Sequence, residues 1–315
     1  MTTPLISPPR LAIGDKVALI SPASPPRSRS LLLLGTKRLE QLGLQVVPGR
    51  HVLDEYGYLA GSDRGRLRDL EAAFRNPDIK AIFCSRGGYG VGRILAGFDP
   101  ALARRHPKAL VGFSDITMLH LALQKAGVVS FWGPMPCTGL GWSAFSVRGL
   151  ERALMSTNPV GSVPFSRGRP AKTLRPGIAQ GRLTGGTLSM LTSSLGTACE
   201  VETRGRIVFM EDVDEEPYRV DRMLTQLIAA GKLSDAAGLA LGIFTGTDVR
   251  NSPGKHSLTM QEVFADHLLP LKVPLLANLA TGHVPDQVTL PYGIKARLDA
   301  GAGTLEVLQA AVRHG

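Results

Sequence analysis

The sequence predicts an α/β protein in two parts, an N-terminal open parallel sheet covered by helices and a smaller mixed β/α domain after it. Three observations predict this. Short β-rich runs alternate with amphipathic helical stretches through the first half, the pattern of a parallel sheet with helices on both faces. Between Asn158 and Gln180 the composition shifts to Pro, Gly, Ser, Arg and Lys without periodicity, as in a linker between separately packed units. Beyond Gln180, β-rich runs resume with few helical stretches between them. The expected division is a domain over 1–157, a linker over 158–180 and a second domain over 181–315.

Lys16–Ile20 reads as the first strand. Helical spacing through Leu32, Leu39 and Leu42 leads to a second strand over Leu44–Val47, ended by Pro48 and Gly49. Ser62 or Asp63 can cap a helix through Leu67, Leu70 and Phe74 that stops at Asn76 and Pro77, and Ala81–Cys84 is then a buried strand. Lys108–Phe113 follows as a strand, 115–126 as a helix and Val128–Trp132 as another apolar run. In the second part the strands are Arg206–Met210, Gly238–Thr245, Lys295–Asp299 and Thr304–Leu308, with a helix from about Tyr218 to Ala230.

The chain has 315 residues, 43% hydrophobic and 20% charged, which suits globular cores rather than disorder. Its formal charge of +10 is spread among acidic residues, apart from short clusters such as Arg27 with Arg29 and Arg167–Lys172. Nucleic acid is therefore not the expected partner; a field of this sign would steer a small substrate bearing several carboxylates. Met1–Gly14 has neither the basic start nor the apolar stretch of a secretory leader. No segment approaches the roughly 20 apolar residues that cross a bilayer. Cys84, Cys137 and Cys199 are odd in number and lack CxxC spacing, so neither a disulfide framework nor a metal site is expected. A reducing, cytoplasmic setting with no membrane partner is the expectation.

Ligands of open α/β sheets gather at the carboxyl ends of the strands. After Ala81–Cys84 comes Ser85-Arg86-Gly87-Gly88-Tyr89-Gly90, whose glycines let backbone N–H groups approach an anion. It is not a dinucleotide fingerprint, because it comes after the first βα turn and reads G-x-G-x-G rather than G-x-G-x-x-G. After Lys108–Phe113 comes Ser114-Asp115, placing a hydroxyl at a strand end and a helix start, where developing negative charge is favoured. Taken alone, Ser114 or Asp115 reads first as an N-cap, and Ile116 departs from the hydrolase elbow G-x-S-x-G.

A nucleophilic serine needs a base. Of His51, His106, His120, His256, His267, His283 and His314, most lie in helical or tail contexts; His283 instead follows an apolar run in the turn Thr281-Gly282-His283-Val284-Pro285. Glu211, the first carboxylate after Arg206–Met210, can fix an imidazole tautomer, although Asp212, Asp214, Glu215 and Glu216 follow closely.

Taken in order, the segments GDKVALISPAS, GYLAGSDRGRLRDL, IFCSRGGYG, LVGFSDIT, GGTLSMLTSSLGT, FMEDVDEEPYRVDRML and GHVPDQVTLPYG resemble the LD-carboxypeptidase family, the muramoyltetrapeptide carboxypeptidases, over nearly the whole chain. The resemblance implies a flavodoxin-like N-terminal domain and a swivelling β/β/α C-terminal domain, as a homodimer. It implies Ser114 as nucleophile, Glu211 as acid and His283 as base, with the N–H groups of Gly88 and Asp115 as oxyanion hole and no metal or organic cofactor. The implied reaction removes the terminal D-alanine from murein tetrapeptides during cell-wall recycling. Two positions depart from the family pattern: Trp132 stands where histidine is more frequent, and Thr187 where asparagine is common. Two alternatives remain. One is a related hydrolase of peptide-nucleotide antibiotics, of the microcin-immunity type, away from which the PYRVDRML segment leans. The other is a non-catalytic peptide or sugar-binding protein in which Ser114 only caps a helix.

Overall fold

The computed structural model of the chain describes residues 4–166, 168–247 and 256–315. Arg167 of the basic cluster and the first three residues of the Met1–Gly14 segment lie outside the described residues. The chain divides into two compact units, each built from separated stretches: the first runs to Val160 and takes up Pro285–Ile294 and Gln309–Gly315, and the second holds Gly161–Val284 and Lys295–Leu308.

The first unit runs β1 (Lys16–Ile20), α1 (Arg29–Glu40), β2 (Gln45–Pro48), α2 (Asp63–Arg75), β3 (Ile79–Cys84), α3 (Val91–Ile94), α4 (Pro100–Arg105), β4 (Ala109–Gly112), α5 (Thr117–Lys125), β5 (Phe131–Trp132) and α6 (Ala144–Met155). Its parallel strands lie in the order β2-β1-β3-β4-β5, which is flavodoxin-like and reverses direction between β1 and β3. An antiparallel edge strand, Leu290–Pro291, comes from the far end of the chain and pairs with β5. The central strands are continuous apolar runs because both faces are covered. Side-chain caps fix where the helices begin: Ser28 accepts from Leu31 N on α1, and Ser62 accepts from Gly65 N on α2. The C-cap of α2 is Asn76, in extended backbone as a residue before proline prefers.

The second unit comprises β6 (Gly161–Ser162), β7 (Lys172–Arg175), β8 (Ile178–Thr187), α7 (Leu188–Ser193), β9 (Ile207–Glu211), α8 (Pro217–Ala229), β10 (Gly238–Leu241), α9 (Met260–Leu268) and β11 (Leu275–Ala277). After β12, the Leu290–Pro291 strand of the first unit, it adds β13 (Lys295–Asp299) and β14 (Thr304–Val307). Its sheet is ordered β6-β14-β13-β8-β9-β10-β11-β7. The centre, β8 to β11, is parallel and the flanks are antiparallel. Both units are therefore α/β, in agreement with the expected class.

Several expectations are corrected. The stretch 158–180 is not an unstructured linker: it holds β6, β7 and the start of β8. The β7 segment Lys-Thr-Leu-Arg pairs with β11 a hundred positions later in the chain, and its charged side chains suit an edge strand, so composition alone does not distinguish it from a linker. Nor is 181–315 one continuous domain, because Pro285–Ile294 and Gln309–Gly315 pack into the first unit. The Val128–Trp132 run forms strand only at Phe131–Trp132; Val128 makes an isolated bridge with Ile6. Among the described residues no helix is long and apolar enough to cross a membrane.

Candidate active site

In the first unit β4 ends at Gly112, and Ser114 follows with φ +64°. A residue with a Cβ occupies that left-handed region at a cost of about 1–3 kcal/mol, and such strain gathers at functional sites. A short 3-10 turn over Ser114–Ile116 then leads into α5. The N-cap alternative fails here, because a capping residue takes extended backbone, whereas Ser114 is left-handed and the residue preceding the turn is Phe113. Asp115 does not cap its own helix either: its Oδ2 accepts from Val91 N at 2.8 Å. The expected helix over 115–126 thus begins with this turn, because the chain must reverse sharply at Ser114.

Packing holds the turn from below. Phe113 lies against Trp132, with ring centroids 5.6 Å apart, so the tryptophan that departs from the family pattern supports the residue before Ser114. His120 is fully buried; its Nε2 donates to Gly112 O at 2.9 Å, its Nδ1 accepts from Ser130 Oγ at 2.9 Å, and its ring stacks on Tyr292 at 4.6 Å. Burial pushes its pKa down to about 4, so this histidine is a neutral brace for the end of β4.

The glycine-rich loop after β3 comes to the same place. A Cβ on Gly87 would lie 2.8 Å from Cβ and 3.0 Å from Oγ of Ser114, so only glycine allows the loop this close. Gly88 has φ +104°, and a Cβ there would fall 2.7 Å from Cβ of Ser24. Ser24 fastens the loop, donating to Tyr58 O at 2.6 Å, accepting from Tyr89 N at 3.3 Å and giving its own N–H to Gly87 O at 3.2 Å. Ser114, Gly88 and Asp115 are thus all carried by neighbouring loops at the carboxyl ends of β3 and β4.

In the second unit Glu211 is the last residue of β9, one position earlier than a residue following the strand, and it is fully buried. Its Oε2 lies 3.1 Å from His283 Nδ1, and its Oε1 accepts from Thr187 Oγ1 at 2.6 Å. Thr187 ends β8 and stands opposite Glu211 in the parallel register, so strand pairing itself delivers the hydroxyl. Gly282 permits the approach of the histidine turn, since it has φ +131° and a Cβ there would lie 3.2 Å from Glu211 Oε2. A carboxylate only accepts, so Nδ1 of His283 is the protonated nitrogen and the basic lone pair is on Nε2.

Burial works to lower the His283 pKa, but the hydrogen bond and charge of Glu211, with the charges of Asp212 and Asp214, outweigh it and the net shift is upward. Asp212 has a different task from its neighbour: its Oδ2 accepts from Ser189 N at 2.8 Å, and burial together with the Glu211 charge raises its pKa to about 6. Glu211, rather than the acids that follow it, is therefore the partner of His283.

Of the residues singled out in the sequence, the structure brings together Glu211 and His283 in the second unit, and Ser114, Gly88 and Asp115 in the first. In the sequence Thr187 is only a departure from a pattern; its place opposite Glu211 needs the β8–β9 register, which no local signal carries. Among the described residues no group of three or more His, Cys, Asp or Glu side chains is placed to hold a metal ion, and Cys84, Cys137 and Cys199 are buried and unpaired.

Residues 17–133 match the model of the LD-carboxypeptidase N-terminal domain, and residues 180–298 match that of the LD-carboxypeptidase C-terminal domain. The chain is 42% identical to a probable murein peptide carboxypeptidase of Bacillus subtilis (strain 168), over 98% of this chain and 96% of that protein. It is similar to the crystal structure of muramoyltetrapeptide carboxypeptidase from Oxalobacter formigenes, with TM-score 0.80 and 32% identity over 92% of this chain and 97% of that one. The structure of MccF in complex with glutamyl sulfamoyl guanosine aligns with TM-score 0.85 over 98% and 99% of the two chains, at 22% identity, a likeness of fold.

Proposed function

Because the chain belongs to the LD-carboxypeptidase family, and is thus a hydrolase, we propose that it is a serine carboxypeptidase that releases the terminal D-alanine of murein tetrapeptides. The observation that carries the reading is the His283–Glu211 pair, a base whose tautomer and charge are set by a buried carboxylate. In this reading Nε2 of His283 takes the proton of Ser114 as Oγ attacks the scissile carbonyl. The N–H groups of Gly88 and Asp115 receive the oxyanion. The tetrahedral intermediate collapses with transfer of the proton to the amine of D-alanine, which leaves. Water, deprotonated by the same imidazole, then attacks the acyl-enzyme and restores Ser114.

The strained Ser114 turn supports the nucleophile's role, because a hydroxyl held at positive φ between β4 and α5 is presented at the carboxyl end of the strand as in other strand-to-helix nucleophile turns. The chain passes between its two units several times, once directly after Val284, next to His283. The reading keeps the expectations of a cytoplasmic homodimer working in cell-wall recycling without a cofactor.

Incubation of the purified protein with murein tetrapeptide, following free D-alanine, tests it. Turnover of the tetrapeptide and none of an acyl-sulfamoyl nucleoside is expected. The reverse result would move the chain to the antibiotic-hydrolase alternative, and no turnover of either, with tight binding, to a binding protein.

A further inference from the structure

The peptide bond between Gly90 and Val91 is gripped at both ends by buried charged side chains. On its oxygen, Nη1 of Arg66, from α2 and 1% exposed, donates at 2.8 Å, and the same nitrogen reaches Pro22 O at 2.7 Å. On its nitrogen, the Val91 N–H donates to Oδ2 of Asp115 at 2.8 Å, and Asp115 is 3% exposed. One peptide plane, two residues beyond Gly88, is therefore fixed in position and in tilt. Arg66 is itself held by Asp63, which also takes two hydrogen bonds from Arg93 of α3 at 2.9 and 2.8 Å. The charged group whose field reaches Asp115 is Arg66, while the loop and α3 meet it with the backbone N–H groups of Gly90 and Val91.

A carboxylate is a costly way to make this bond. Burial lifts its pKa to about 6 against the pull of Arg66 and the two N–H groups, so the ionised form is held at neutral pH against its desolvation. A neutral amide would accept the same hydrogen bond without that cost. The costly group is also the residue directly after Ser114, and it ties the turn bearing the serine to the loop whose Gly87 touches it.

We propose that Asp115 is a positioning residue whose carboxylate, with Arg66 on the far side of the Gly90–Val91 peptide, locks the glycine-rich loop to the Ser114 turn so that the Gly88 and Asp115 N–H groups share one target. The inference rests on the acyl-transfer reading above. It lies wholly within the first unit, and charge-assisted hydrogen bonds of this kind are roughly twice as strong as neutral ones.

The experiment compares the parent chain with Asp115→Ala and Asp115→Asn, measuring kcat and KM for D-alanine release, the rate at which a fluorophosphonate phosphonylates Ser114 with loss of fluoride, and the melting curve at pH 8. Asp115→Ala should lose about 10²–10³ in kcat and in phosphonylation rate, the size of losing one oxyanion donor, with KM within about threefold. Asp115→Asn should regain part of that loss, remaining about tenfold below the parent, yet melt no lower than the parent because a buried charge has been removed. Asp115→Ala with parental kcat, or a loss confined to KM, overturns the proposal. So does an Asn variant whose activity and melting fall together, the signature of a merely structural residue. Should Asp115→Ala not fold, Asp115→Asn decides alone: slower phosphonylation with an undiminished melting curve supports the lock, and parental phosphonylation overturns it. A parent chain that is phosphonylated but releases no D-alanine strikes the substrate reading and leaves the lock to be judged from the phosphonylation rates.

Discussion

Nδ1 of His283 lies 3.1 Å from Oε2 of Glu211, a pair formed between the end of β9 and a turn 72 positions later in the chain. The pairing fixes which ring nitrogen carries the proton and leaves the base on the other. Glu211→Gln keeps the shape but offers His283 an amide in place of a charge, with the wrong tautomer within reach. By comparison with triads that lose their acid, kcat should fall by about 10⁴. Steady-state D-alanine release checks this, and the variant should still bind substrate with a KM near the parental value.

The pH dependence follows from the net upward shift of His283. The base works only when neutral, so kcat/KM should rise with pH through a midpoint above the ordinary imidazole value of 6.5. Glu211→Gln and Asp212→Asn should each move that midpoint down, since Glu211 and Asp212 both raise it. Stability runs the other way. A group whose folded pKa is raised contributes stability that is complete below its unfolded pKa and is lost as pH rises through the folded value. The His283 contribution should therefore fade on the alkaline side of 6.5. Proton NMR of the His283 ring across the titration, beside melting curves, measures both.

Thr187 holds the other oxygen of the same carboxylate at 2.6 Å. Thr187→Val keeps the branched shape and removes the donor, leaving a buried charged oxygen one hydrogen bond short, a loss of about 1.5–3 kcal/mol. A drop in kcat of about tenfold to a hundredfold is expected, with partial recovery in Thr187→Asn, whose amide can donate to the same oxygen. Kinetics of the two variants at one pH well above the midpoint separates this effect from a change in His283 titration.

Gly87→Ala tests the closeness of the glycine-rich loop. The new methyl would sit 2.8 Å from Cβ of Ser114, closer than real side chains approach, so the turn or the loop must shift. Because positioning losses of about 1 Å cost about 10² in rate, acylation should fall by at least that factor. The melting curve should change less than for a core truncation, since the clash lies in the loops at the carboxyl ends of β3 and β4, and circular dichroism would report it.

Much of the first unit could be read from the sequence because its signals are local. Ser62 and Asn76 bracket α2 as expected from capping and from the proline that follows, and apolar runs mark β1, β3 and β4 to within two residues at each end. The second unit was less legible, because its sheet is assembled from partners far apart. β7 became a strand only by meeting β11, and β12 left its neighbours to join β5. The same contrast holds at the site. His283 and Glu211 stood out as polar groups after apolar runs. Thr187 became meaningful through the register of β8 on β9, and the Asp115 tie to Val91 through the folding of two loops onto each other. The left-handed backbone of Ser114 also has no signature in Phe-Ser-Asp, since nothing local favours it.

The central claim is that the imidazole of His283, oriented by Glu211, activates the hydroxyl of Ser114. Its most direct test is the rate and site of labelling by a fluorophosphonate, with the modified peptide mapped by mass spectrometry in the parent chain and in His283→Ala. The account predicts one label per chain, on Ser114, formed at least about 10³ times more slowly without the imidazole. Labelling at another residue, or labelling of Ser114 at an unchanged rate in His283→Ala, would contradict it.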